Sequence, residues 1–113
     1  MDFAPYLTPL AVLSVFVALD ILTGVASAVS ASELSSSKMR DGLFHKLAFY
    51  GAYVLAVALE CAAGTLDLNI TIPAAGTVAA YIVATEVVSI LENLCKMNPE
   101  LKNSKFLAMF NND

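Results

Sequence analysis

Three apolar stretches, each about as long as a bilayer's hydrocarbon core is thick, fill most of this chain. They run from about residue 8 to 32, from about 43 to 66 and from about 72 to 96. Their apolar residues come in clumps, which a soluble chain of 113 residues has too little interior to bury. Only 14% of the residues are charged, against about a quarter in soluble domains, and the mean hydropathy is +0.74. The expectation is an all-α membrane protein with three transmembrane helices over those ranges and a short amphipathic C-terminal segment. It forms a single integral membrane domain, residues 1–113, built as a three-helix hairpin bundle with a cytoplasmic tail over about 97–113.

Several function classes drop out at this level. A net charge of −4 does not suit nucleic-acid binding, which calls for a basic patch. Neither a phosphate loop, a zinc spacing nor a dinucleotide fingerprint is present. The single histidine, His45, stands beside Lys46 at the expected membrane surface without a ligand cluster around it. No catalytic, cofactor-binding or metal-binding residue is therefore expected. Cys61 and Cys95 fall near opposite membrane faces on the three-span reading, too far apart to bridge. The N-terminus carries Asp2 where a secretory signal has basic residues, so the first span is expected to be retained.

Within the first span, Thr8 followed by Pro9 reads as a helix start. Past Asp20, the residues Gly24, Ser27, Ala28 and Ala31 recur at three- and four-residue spacing on the aspartate's side. Small stripes of this kind let helix backbones approach closely in lipid. The hinge from Glu33 to Lys46 offers Ser35, Ser36 and Ser37 as caps and Asp41-Gly42 as a second break. Lys46, near its end, is expected to snorkel to the headgroups.

In the second span Phe49, Tyr53, Ala56, Glu60 and Gly64 share a helical face. The third opens with Thr71 or Ile72 as cap and Pro73 in first position. Ala75, Ala79, Ile82, Glu86, Ser89 and Asn93 line one of its faces, with Glu92 to the side. Met97-Asn98-Pro99 ends that span and can open a short second helix, after which apolar residues alternate with Lys102 and Lys105.

Orientation follows from the cations. Lys38, Arg40 and Lys46 lie between spans 1 and 2, and Lys96, Lys102 and Lys105 follow span 3, so all six fall on one side. Basic flanks stay in the cytoplasm, which sets the N-terminus out and the C-terminus in.

The chemical puzzle is acid at lipid depth. A charged carboxylate near a helix centre costs about 2.5–3.5 kcal/mol on insertion scales. Asp20, Glu60 and Glu86, with Glu92 and Asn93, are the candidates to line a water-filled opening where faces from several copies meet. The alternative is that each acid is hydrogen-bonded inside the monomer or wetted at an interface.

The order Asp20-x-x-x-Gly24, a small-residue stretch, LSSSK at Leu34–Lys38, Gly42 and Lys46 resembles the first half of the phage holin and toxin-secretion holin family. The stretch EVVSILENL, Glu86 to Leu94, is similar to the motif closing that family's last span. The likeness runs from about Asp20 to Asn98, and Asp20, Lys38, Gly42, Lys46, Glu86, Glu92 and Asn93 match its pattern. The resemblance implies a protein of the bacterial cytoplasmic membrane that forms homo-oligomers in the lipid bilayer and opens lesions. Through these an endolysin reaches the cell wall or a large toxin leaves, without required direct contact. Two other classes stand beside it: a small ion channel or transporter subunit using the buried acids, and an adaptor recruiting a partner through Lys102 and Lys105.

Overall fold

The computed structural model describes residues 2–69, 71 and 73–110. Three long helices, α1 (Ala4–Ser30), α2 (Ser36–Thr65) and α3 (Ala74–Met97), are followed by a 3-10 turn over Pro99–Lys102 and a short helix α4 (Ser104–Ala108). All three long helices are long and apolar enough to cross a membrane. Their count and order are those expected from the apolar runs.

Two starts differ from expectation. Helix α1 begins at Ala4 rather than at Thr8, with Pro5 in its first turn, and Pro9 lies inside it. Proline removes one backbone donor, and so near the helix start the carbonyl it leaves unpaired can still find water. Helix α2 begins at Ser36, two turns before the expected Leu43, because the Ser35 hydroxyl caps the Lys38 N–H at 3.4 Å. The helix then runs straight through Asp41-Gly42. One glycine costs a helix only about 1 kcal/mol, less than breaking it would. At α3, Pro73 is the cap residue and Ala74 the first helical one. Of the two expected caps, Thr71 is non-helical and Ile72 lies outside the described residues.

Both long helices that precede a turn stop the same way. Ser32 and Asp67 take left-handed backbone, at φ 56° and 51°. Glu33 N–H then reaches Ala28 O and Ser32 N–H reaches Val29 O. At the end of α2, Leu68 N–H bonds Ala63 O and Asp67 N–H bonds Gly64 O. These paired bonds satisfy carbonyls that a helix end otherwise leaves open. Beyond α3, Asn98 accepts from Glu100 N–H and Asn103 from Lys105 N–H, which starts the two short C-terminal turns.

Helix α3 packs directly on both α1 and α2, whereas the backbones of α1 and α2 stay apart. The core joins Leu13 and Val17 of α1, Tyr53 and Ala56 of α2, and Ala75, Ala79 and Ile82 of α3. Large apolar side chains such as Leu22, Val54, Leu55 and Val88 instead face outward. In water that surface is a liability; in lipid it is the expected exterior.

Candidate functional site: a charged cluster between three helices

Asp20 stands ten residues before the end of α1, Lys46 ten after the start of α2, and Glu86 eleven before the end of α3. At about 1.5 Å of rise per residue, all three reach one level roughly 15 Å inside the same end of the bundle. There Lys46 Nζ donates to Asp20 Oδ2 at 2.6 Å and to Glu86 Oε2 at 2.8 Å. Glu86 is the deepest, its side chain 3% exposed, while Lys46 and Asp20 are each 12% exposed. Asn93 Nδ2 donates to Asp20 Oδ1 and to Thr23 Oγ1, both at 3.1 Å. One ammonium thus joins carboxylates from two other helices, and an amide from α3 holds the aspartate's second oxygen.

The pairing explains how acids persist at this depth. A lone buried charge is costly, and it is compensated only when partnered and hydrogen-bonded. Here every charged member bonds to another helix, so the cluster ties the bundle together. With both carboxylates ionised it carries one net negative charge.

A groove of about 340 Å³ leads to the cluster from the hinge end. Ser35, Lys38 and Glu33 stand at its mouth, Val25, Ala28 and Met39 along its walls, and Asp20, Lys46, Ser89 and Asn93 at its inner end. It is the space left where α1 and α2 diverge.

A second polar group closes the opposite end. Glu60 Oε2 accepts from Tyr6 Oη at 2.7 Å, and Glu60 Oε1 accepts from Ala75 N–H at 2.9 Å, in the first turn of α3. A carboxylate there satisfies an orphan helix donor and sits favourably at the positive end of the helix dipole. Tyr53 Oη donates to Tyr6 O at 2.8 Å, and between the two ends Tyr50 Oη donates to Ser14 Oγ at 2.7 Å.

Of the sequence candidates, Asp20, Glu86 and Asn93 meet in one cluster, Glu60 sits at the other end, and Glu92 is exposed and joins neither. The small stripe divides. Gly24 faces Asn93, Ser27 is buried, Ala28 lines the groove, and Ala31 lies past the helix end, exposed. Lys38, Arg40, Lys96, Lys102 and Lys105 are exposed. Lys46 is the correction: its ammonium turns inward to two acids instead of outward to the headgroups. The stripe Lys46, Tyr50, Tyr53, Val57, Glu60, at spacings of four and three, was the signal for it, since those positions share one helical face. Tyr6, Ser14 and Thr23 carry no comparable pattern.

A Cβ added at Gly24 would meet Asn93 Nδ2 at 3.5 Å, an ordinary contact. Gly24→Ala is therefore expected to melt in detergent within about 0.5 kcal/mol of wild type, as substitutions that create no clash do. Gly24→Leu is expected to part α1 from α3 and lose roughly 1–3 kcal/mol, the usual cost of overpacking.

These features define a small multi-pass membrane protein whose most buried charges bridge its own helices. The chain belongs to the bacteriophage holin family, whose model matches residues 2–110, nearly its whole length. No curated protein and no solved structure matches it. Holins are a non-enzymatic, pore-forming class associated with host lysis.

Proposed function

We propose that copies of this chain accumulate in the bacterial cytoplasmic membrane, N-terminus out and C-terminus in, oligomerise, and open lesions. An endolysin, or a large toxin, crosses through them without needing to touch the protein. The observation that carries this reading is the Asp20–Lys46–Glu86 cluster at mid-span in a family member that is almost wholly membrane helix. In the resting protomer the acids are held by Lys46, Asn93 and neighbouring helices, so the outer surface stays compatible with lipid. After triggering, the same groups turn to water and line the lesion. Asp20, Glu60, Glu86 and Asn93 are the wall residues on this reading.

Timed lysis tests it. Asp20→Asn and Glu86→Gln each keep the shape of the side chain but remove one of the two carboxylates that Lys46 bridges. Each is expected to shift the onset of lysis after induction, with the change in the same direction for both. Unchanged onset and unchanged leakage of protein-sized markers in both variants would remove the acids from the mechanism. Discrete ion conductance without such leakage would instead indicate a channel.

A further inference from the structure

The three helix seams are chemically unequal. Helix α3 packs closely on both α1 and α2 through the shared apolar core. Asn93 bonds Asp20 and Thr23 on one side, while Glu86 bonds Lys46 and the Ala75 N–H bonds Glu60 on the other. The α1–α2 seam differs in that its backbones stay apart and long polar side chains bridge it along its length. Lys46 reaches Asp20, Tyr50 reaches Ser14, Tyr53 reaches the Tyr6 carbonyl, and Glu60 receives the Tyr6 hydroxyl. At the hinge end the seam is already parted as the groove.

We infer that the α1–α2 seam is the line along which the protomer opens, with α2 swinging away from α1 while both stay packed on α3. This rests on the lesion-forming reading above and specifies which surfaces become wet.

The physical basis is the different cost of parting each seam in lipid and in water. In hydrocarbon, a separated hydroxyl or charge has no replacement partner, so the polar seam stays shut. In water each lost bond is exchanged for one to solvent at little net cost. The two α3 seams gain less from hydration, because separating their close-packed cores exposes more apolar surface. The polar seam is therefore locked by lipid and released by water. A water column enters first at the groove, which Ser35 and Lys38 line toward the hinge and Asp20 and Lys46 line at the inner end.

The test places single thiols in the full-length protein after Cys61 and Cys95 are changed to alanine. Ser14→Cys and Tyr50→Cys report on the α1–α2 seam; Ser27→Cys and Ala79→Cys report on buried positions of α1 and α3. A membrane-impermeant maleimide is applied before and after triggering in cells, with release of a cytoplasmic enzyme recorded alongside. Positions 14 and 50 are expected to pass from protected to labelled as release begins, while positions 27 and 79 stay protected. In Ser14→Cys/Tyr50→Cys, joining the two thiols with a short bifunctional reagent is expected to abolish release. Release with position 14 protected, or with all four positions labelled alike, overturns the seam and leaves the lesion-forming reading intact. Absence of enzyme release from any variant and from wild type overturns that reading and the seam with it.

Discussion

Lys46→Met is expected to destabilise the bundle by about 3–5 kcal/mol, the cost of stripping the partner from a buried ion pair. Methionine fills much the same volume, so packing changes little, but Asp20 and Glu86 then face each other across α1 and α3 with no cation between them. All three side chains are at most 12% exposed, so solvent does little to soften the loss. Adding Asp20→Asn and Glu86→Gln to Lys46→Met removes the uncompensated charge and is expected to restore most of the stability. Unfolding of the purified proteins in detergent, followed by circular dichroism, measures both. A Lys46→Met protein that melts with wild type would show that the cluster does not hold the bundle. A triple variant as weak as the single one would show that lysine packing, not charge, is at stake.

Glu60→Ala should cost about 3 kcal/mol, from two bonds to a charged acceptor at roughly 1.5–3 kcal/mol each, reduced because the site is partly open. It frees the Ala75 N–H in the first turn of α3 and the Tyr6 hydroxyl together. Glu60→Gln keeps an acceptor for Ala75 and a polar contact for Tyr6, so it is expected to lose less than half as much. Hydrogen exchange of the amides in the first turn of α3 is the sharper measurement. Protection there should fall in Glu60→Ala while the Asp20 end of the bundle keeps its own. Equal loss at both ends would make Glu60 a general stabiliser rather than a local clasp.

The spans were legible because long clumps of apolar residues have few alternatives in so short a chain. The inner face of α3 was legible too: Ala75, Ala79, Ile82 and Glu86 are buried in the order their spacing gives, and Ser89 and Asn93 reach the groove. The helix starts were less so. Hydropathy marks where a chain is greasy, and α2 begins seven residues earlier, among Ser36, Ser37, Lys38 and Arg40. Its stop was legible to within a residue, at Thr65 against an expected end near 66, although Asp67 rather than glycine takes the left-handed position.

Lys46 shows the limit of residue-by-residue inspection. A lysine near a hinge has the same hydropathy whether it points to water or to two carboxylates. What decides is that Asp20 and Glu86 arrive at its level from helices far away in sequence. Gly64, expected on the inner face of α2 with Tyr53 and Ala56, is exposed, and its neighbour Ala63 is the buried residue at that end.

The thirty residues of α2 make a rod of about 45 Å, half as long again as the roughly 30 Å of hydrocarbon it crosses. The excess has to be absorbed by tilt or by protrusion into the headgroups, and both depend on how thick the host bilayer is. Since Lys46 fastens this rod to its two shorter neighbours, a change in membrane thickness would act on the fastening as a lever acts on its pivot. The same polypeptide would then be held under different mechanical load in hosts of different lipid composition.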